Sequence, residues 1–125
     1  MPTVLIVEDE FAIADLLEMA LTDEGYRVLH AANGRQGLER LAERLRPDLV
    51  ITDYMMPILD GAGLLRAMRD IDAQRDIPCI VMSSIPEANV RERITGYAAF
   101  VRKPFQLAAV VQLVGAVLEA SASGS

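Results

Sequence analysis

Short apolar runs alternate along the whole chain with longer segments of helical periodicity. Continuous apolar runs of this kind are typical of strands that helices cover on both faces, as in a parallel sheet. The runs lie at Val4–Val7, Arg27–Ala31, Leu49–Thr52, Cys79–Met82 and Ala98–Val101. The pattern therefore predicts five strands.

Between and after these runs, apolar residues recur every three or four positions, which is the spacing of a helix with one buried face. The positions that define the first four segments are Ile13, Leu16, Leu17, Ala20 and Leu21; Leu38, Leu41 and Leu45; Leu64, Leu65 and Met68; and Val90 and Ile94. A fifth segment runs from about Phe105 to Ala120. Five strand-helix repeats predict a doubly wound α/β fold with right-handed crossovers and helices on both faces of the sheet.

The composition fits a single domain over residues 1–120, with residues 121–125 as a flexible tail or the remnant of a linker. A net charge of -6 argues against direct nucleic-acid binding, which needs a concentrated basic surface. One cysteine, Cys79, cannot form a disulfide within the chain, and this favours the cytoplasm. No apolar run approaches the roughly 18–20 residues that cross a membrane, so no membrane partner is expected.

Acidic residues follow two of the predicted strands directly. Glu8 and Asp9 follow the first strand, and Asp53 follows the third. Ligand sites in open parallel sheets form beyond the carboxyl ends of the strands, where the strand order reverses. If the first and third strands are neighbours, the three carboxylates converge, and a hard divalent cation such as Mg²⁺ would relieve their repulsion. Helix capping is the alternative role for Glu8 and Asp9.

Two further polar side chains lie at the ends of the fourth and fifth strands, on the same predicted edge. Ser83 ends the fourth strand, and Lys103 follows the fifth. A hydroxyl and an ammonium group beside a carboxylate-bound cation can hold phosphoryl oxygens. Taken singly, Ser83 could be an ordinary turn residue and Lys103 a solvated surface charge.

These motifs, taken in order, resemble those of the response regulator receiver domain of the CheY-like superfamily. The resemblance extends from about residue 3 to residue 119, and the segments that carry it are Val4–Glu10, Ile51–Pro57, Asp60-Gly61, Ile77–Ser83 and Phe100–Phe105. It implies a flavodoxin-like, five-stranded parallel sheet with strand order 2-1-3-4-5. It also implies a response regulator that acts in a two-component phosphorelay.

The resemblance implies a role for each acidic residue. Asp53 would be the phosphoacceptor, which takes a phosphoryl group from the phosphohistidine of a histidine kinase or histidine phosphotransfer protein. Asp9, Asp53 and the backbone carbonyl of Met55 would bind Mg²⁺ directly. Glu8, where the family often has Asp, would bind the cation through a water.

The resemblance also implies how the phosphoryl group is held and sensed. Lys103 would pair with Asp53 and then with the phosphoryl oxygens, across a cis Lys103–Pro104 peptide bond. Ser83 and Phe100 would form the switch that changes the face made by helix 4, strand 5 and helix 5. That face would bind a downstream protein or a second copy of the chain. The domain would therefore be a signalling module that catalyses only its own phosphotransfer and dephosphorylation.

The sequence departs from the family pattern near the switch and near the acceptor. The stretch from Ser83 to Lys103 is about two residues shorter than is usual, and this predicts a short fourth helix or following loop. The positions that tune the lifetime of the acyl phosphate hold Met55 and Ser84. Met55 cannot align an attacking water by hydrogen bonding, so we expect slow self-hydrolysis.

The last helix has few polar residues, which leaves its exposed face uncertain from the sequence. Between Phe105 and Ala120 the polar side chains are those of Gln106, Gln112 and Glu119. We expect an interface for a partner or for self-association, because large exposed apolar patches mark interfaces; its predicted residues are Leu107, Val111, Val114 and Leu118. The alternative is an apolar surface that a monomer tolerates.

Two other functions compete with phosphorylation-driven signalling. An aspartate-nucleophile phosphatase for small molecules would commonly carry a second Asp two positions after Asp53, where this chain has Met55. A receiver-like scaffold that works without phosphorylation would have no need for a complete set of cation-binding residues. Both alternatives are therefore less favoured by the sequence.

Overall fold

The structure is a computed structural model that describes residues 1–43 and 46–123. Its strands are β1 (Thr3–Val7), β2 (Arg27–Ala31), β3 (Leu49–Asp53), β4 (Cys79–Ser83) and β5 (Ala99–Arg102). Its helices are α1 (Phe11–Asp23), α2 (Gly34–Leu41), α3 (Gly61–Arg69), α4 (Glu87–Arg91) and α5 (Leu107–Ser123). All strand pairs are parallel, and their order is β2-β1-β3-β4-β5. The predicted doubly wound, flavodoxin-like fold is confirmed.

The three central strands explain the continuous apolar runs. Every residue of β1, β3 and β4 is buried, because helices cover both faces of the sheet. Neighbouring side chains along β1 point to opposite faces. Leu5 and Val7 join one core cluster with Leu64 of α3, whereas Ile6 joins the other with Leu17 of α1.

Helices α1 and α2 follow the predicted stripes with two qualifications. In α1, Ala14, Leu17 and Leu21 are buried, but Leu16 is 52% exposed, so its predicted place on the buried face is wrong. In α2, Leu41 is buried, whereas the predicted Leu45 lies outside the described residues. A carboxamide cap begins α2, because Asn33 accepts a hydrogen bond from the Gln36 amide.

The fourth helix is short, as the shortened sequence predicts. It has five residues, and buried Val90 and Ile94 anchor it and the turn that follows. Glu87 accepts a 2.8 Å hydrogen bond from the Tyr97 hydroxyl and forms a 3.2 Å ion pair with Arg91. The short helix is therefore tied to the segment that leads into β5.

The last helix differs from its prediction in its bounds and in its buried face. It begins at Leu107 and continues through Ser123, and residues 124–125 lie outside the described residues. Val114 is 0% exposed in the core beside Val110, so the prediction that Val114 faces a partner is wrong. The other predicted interface residues, Leu107, Val111 and Leu118, are half-buried against the same core cluster.

Small side chains make the outward surface of α5 instead. Its exposed positions include Ala108, Ala109, Gln112, Ala116, Glu119 and Ala120. Because alanine favours a helix without demanding burial, the large valines and leucines turn inward and leave alanine outside. Within the described residues, no helix is both long enough and apolar enough to span a membrane.

Candidate functional site

Three carboxylates meet at the carboxyl ends of β1 and β3. The two strands are adjacent and parallel, with Val7 opposite Thr52, so that Glu8 and Asp53 each leave the sheet at the same edge. One carboxylate oxygen from each of Glu8, Asp9 and Asp53 lies within 4.8 Å of the others. The strand order thus produces the convergence that the sequence predicts.

Lys103 reaches into this carboxylate cluster from the loop after β5. Its Nζ lies 2.8 Å from Oε1 of Glu8 and 3.3 Å from Oδ2 of Asp53. The Lys103 backbone amide donates to the Ser83 carbonyl, and the Lys103–Pro104 peptide bond is cis, as predicted. The shorter contact, to Glu8, was not predicted, although the extra methylene of Glu8 relative to Asp gives the carboxylate the reach to make it.

Burial dominates the electrostatics of the site. The Glu8 side chain is 0% exposed, and this desolvation raises its pKa to about 7 despite the hydrogen bond from Lys103. Burial also raises the pKa of Asp53, with the Asp9 charge adding to the effect and Lys103 opposing it. Burial lowers the pKa of the Lys103 ammonium, but the hydrogen bond to Glu8 and the Asp53 charge outweigh it, so that the net pKa is raised.

These groups fit a hard divalent cation. One ammonium cannot neutralise three carboxylates, and the charge of Asp53 on Glu8 and that of Asp9 on Asp53 add to the effect of burial in raising the two pKa values. Carboxylate oxygens are the ligands that Mg²⁺ prefers, and it binds with one or two of them plus waters. The exposed carboxylate of Asp9 leaves one side of the cluster open to solvent.

The predicted switch residues lie on β4 and β5. Ser83 is 1% exposed, and its Oγ accepts a 2.9 Å hydrogen bond from the Ile85 amide. Phe100 is half-buried against the core cluster of the α3 face, with its ring centroid 6.3 Å from that of Tyr97. The Ser83 hydroxyl is therefore held by the β4–α4 loop, and Phe100 contacts the residue that ties α4 to β5.

The residues predicted to tune hydrolysis lie at the exposed rim. Met55 is 56% exposed, and Ser84 is exposed with its carbonyl accepting a 3.0 Å hydrogen bond from Nε of Arg102. Both residues are therefore exposed to solvent. Their effect on hydrolysis stays a prediction.

Two residues position the site without having been identified from the sequence for that purpose. Nε2 of His30 donates a 2.9 Å hydrogen bond to the Glu8 carbonyl, which fixes the end of β1. Gly61 donates its amide to the Tyr54 carbonyl, and a Cβ at Gly61 would lie 2.7 Å from the Asp53 carbonyl oxygen. The Asp60-Gly61 pair could be recognised in the sequence because it is one of the motifs that carry the family resemblance. No sequence pattern distinguishes His30.

Comparison with known proteins agrees with this geometry. The family model of the response regulator receiver domain matches residues 4–115. The chain is 32% identical over 122 residues to the DNA-binding dual master transcriptional regulator RpaA of Synechocystis, with 94% of this chain and 49% of that protein covered. It thus spans about half the length of the curated relatives it matches.

Two solved structures show the same fold at a similar identity. The receiver domain of a signal transduction histidine kinase from Syntrophus aciditrophicus is 34% identical, with a TM-score of 0.86 over 95% of this chain and 91% of that one. The receiver domain of a sensor histidine kinase from Pseudomonas aeruginosa is 30% identical, with a TM-score of 0.85 over 94% and 98% of the two chains. In that protein a magnesium ion is coordinated in the active site cleft. The match over most of the chain, together with the carboxylates at the ends of β1 and β3, establishes that this chain belongs to the response regulator receiver domain family.

Proposed function

We propose that this chain accepts a phosphoryl group on Asp53 from the phosphohistidine of a histidine kinase or histidine phosphotransfer protein, in an Mg²⁺-dependent step. The observation that carries the proposal is the convergence of Glu8, Asp9 and Asp53 within 4.8 Å, with Nζ of Lys103 3.3 Å from the Asp53 carboxylate. We infer that the domain signals from the cytoplasm and is not a turnover enzyme.

The chain's own residues supply the nucleophile and the charges around it. A carboxylate oxygen of Asp53 attacks the phosphorus, the phosphorus–nitrogen bond of the donor breaks, and its electron pair stays on the imidazole. Asp9, Asp53 and the Met55 carbonyl would hold Mg²⁺, with Glu8 acting through a water. When bound, the cation offsets the negative charge of the phosphoryl oxygens.

Lys103 and Ser83 would hold the product. The Lys103 ammonium already contacts Asp53, so a short movement brings it to a phosphoryl oxygen, where a charge-assisted hydrogen bond stabilises the acyl phosphate. The Ser83 hydroxyl would exchange its hydrogen bond from the Ile85 amide for one to the phosphoryl group. Phe100 would follow inward.

This movement would change the face made by α4, β5 and α5. Phe100 packs beside Tyr97, which holds Glu87 of α4, so an inward shift of the ring alters the support of α4. We propose that a downstream protein or a second copy of the chain reads this change. The domain would not bind nucleic acid directly.

Incubation with acetyl phosphate and Mg²⁺ tests the proposal. We expect one acid-stable, base-labile phosphoryl group per chain, dependent on Mg²⁺ and absent from Asp53→Asn. The matched control is Asp72→Asn, because the Asp72 side chain is 92% exposed in the α3–β4 turn. Steady release of phosphate would instead indicate a phosphatase, and a chain that takes up no phosphate would refute the proposal.

The scaffold alternative makes a different prediction in cells. Full signalling by the Asp53→Asn variant would show that the domain works without phosphorylation. The proposal predicts that this variant loses signalling and that Asp72→Asn keeps it.

A further inference from the structure

The α3–α4 side of the molecule carries a basic pocket in an otherwise acidic chain. The pocket has a volume of about 150 Å³, and its arginines are Arg66 and Arg69 of α3 together with Arg91 and Arg93 of α4 and the following turn. The chain as a whole has a net charge of -6. Four of its twelve basic residues thus line one small recess, which uses no residue of the carboxylate cluster.

Three of these arginines lack a carboxylate partner. Arg91 forms a 3.2 Å ion pair with Glu87, but Arg66, Arg69 and Arg93 form no ion pair with any carboxylate in the described part of the chain. Glu92 lines the pocket and supplies one negative charge beside that of Glu87. The pocket therefore carries more positive than negative charge. Its guanidinium groups repel one another, and a bound anion would relieve this repulsion.

Two of the arginines lie against the turn that follows α4. Nη2 of Arg66 donates a 3.4 Å hydrogen bond to the Arg93 carbonyl. Gly96 has a φ of +84°, and a Cβ there would lie 3.0 Å from Cζ of Arg69. A side chain at Gly96 would displace the Arg69 guanidinium, so this glycine allows close packing of the arginine on the turn.

Buried apolar residues form the base of the recess. Leu65 is 3% exposed and Ile94 is 4% exposed, so α3 and the α4 turn meet on a packed support rather than on a mobile surface. A recess with a rigid base and several guanidinium groups at its rim can enclose a small oxyanion.

We propose that this pocket binds the phosphate group of a small ligand. Guanidinium groups match phosphate oxygens in bidentate geometry, and a dianion with several oxygens can engage three arginines at once. A single carboxylate has two oxygens and one charge, so it satisfies this set less well. The ligand would join α3 to the turn after α4, at a site that shares no residue with the carboxylate cluster.

Titration with inorganic phosphate, followed through backbone amide resonances, tests the proposal. A chelator removes divalent cations, and chloride at equal ionic strength serves as the reference salt. We expect saturable shifts of the Ile94, Thr95 and Gly96 amides with phosphate but not with chloride. Shifts that rise linearly without saturation, or that chloride reproduces, would overturn the proposal.

Charge-matched variants distinguish the pocket from general electrostatics. Arg93→Gln and Arg69→Gln should each weaken phosphate binding by about fivefold to tenfold, because each removes a charge-assisted hydrogen bond. Arg35→Gln, which removes an exposed charge on α2, should leave the affinity unchanged. Equal affinity in all three variants would refute the site.

Two further binding measurements identify the source of the phosphate and distinguish this site from the proposed phosphoacceptor site. Tighter binding of adenosine 5′-monophosphate than of inorganic phosphate would support a nucleotide ligand, and equal binding would support phosphate itself. Asp53→Asn should keep the binding in either case. Loss of binding in Asp53→Asn would assign the shifts to the carboxylate site and contradict the proposal.

Discussion

Replacement of Lys103 by Met removes the ammonium that lies between two buried carboxylates while keeping most of the apolar stem. Nζ of Lys103 is 2.8 Å from Glu8 and 3.3 Å from Asp53, and the side chains of Glu8 and Asp53 are 0% and 9% exposed. Breaking a buried ion pair usually costs about 3–5 kcal/mol, because the remaining charge lacks a partner. Proton uptake by Glu8 limits that cost here.

The pKa of Glu8 explains why proton uptake limits the cost of breaking the ion pair. Burial raises this pKa from 4.5 to about 7, so the folded state binds more protons than the unfolded state across this window. The Glu8 contribution therefore favours folding at low pH and is lost as the pH rises from about 4.5 to about 7. Without Lys103 the folded-state pKa of Glu8 rises further, and the loss continues above about pH 7.

The expected magnitude is a difference between two pH values. Near pH 5, Glu8 is protonated in both folded proteins, and the substitution has little effect through this residue. Near pH 8, one pH unit above the wild-type pKa, the variant loses up to about 1.4 kcal/mol more than the wild type from Glu8 alone, and the full value is reached if Glu8 of the variant stays protonated at that pH. Asp53, whose pKa is also raised, adds to the loss in the same direction.

Urea unfolding at the two pH values, with a chelator present, measures this difference. Arg27→Met is the matched control, because Arg27 is exposed at the opposite end of the sheet. We expect Lys103→Met to be more destabilising near pH 8 than near pH 5 by about 1 kcal/mol or more, and the control to show no such difference. Equal destabilisation at both pH values would refute the reasoning.

Three further tests, two of which compare a pair of substitutions, address separate parts of the structure. Met55→Asn should shorten the acyl-phosphate lifetime several-fold in a decay assay, and an unchanged lifetime would contradict the role of Met55. Gly61→Ala should cost about 1–3 kcal/mol in urea unfolding, since its Cβ would lie 2.7 Å from the Asp53 carbonyl oxygen. Gly115→Ala, whose Cβ would meet only the Tyr26 hydroxyl at 3.7 Å, should instead stabilise by about 0.5–1 kcal/mol, and a loss there as large as at Gly61 would argue against the close approach. Val114→Ala should cost about 2 kcal/mol, and half-buried Val111→Ala clearly less, whereas similar costs would mean that the two valines are equally buried.

The sequence was sufficient to predict the strands because the sheet is covered on both faces. The central runs, such as Leu49–Thr52, hold no solvent-facing positions, so their apolar character is continuous and their bounds are sharp. The strand order came from the family resemblance. The resulting neighbours, β1 and β3, then account for the meeting of Glu8, Asp9 and Asp53.

The last helix could not be oriented from its sequence because nearly every position is apolar. Polarity distinguishes the two faces of most helices, but in α5 the distinction is one of size. Val110 and Val114 fill the core, while Ala109 and Ala116 face outward. The Glu8–Lys103 ion pair was also beyond sequence reasoning, since it depends on side-chain reach across 95 residues of chain.

The most direct test of the central claim is to locate the phosphoryl group by chemistry. After incubation with acetyl phosphate and Mg²⁺, reductive trapping converts an acylated aspartate to homoserine, which peptide mass spectrometry can place in the sequence. The account predicts conversion at Asp53, with none at Asp9 and none without Mg²⁺. Conversion at another aspartate, or unmodified Asp53 in a phosphorylated chain, would contradict it.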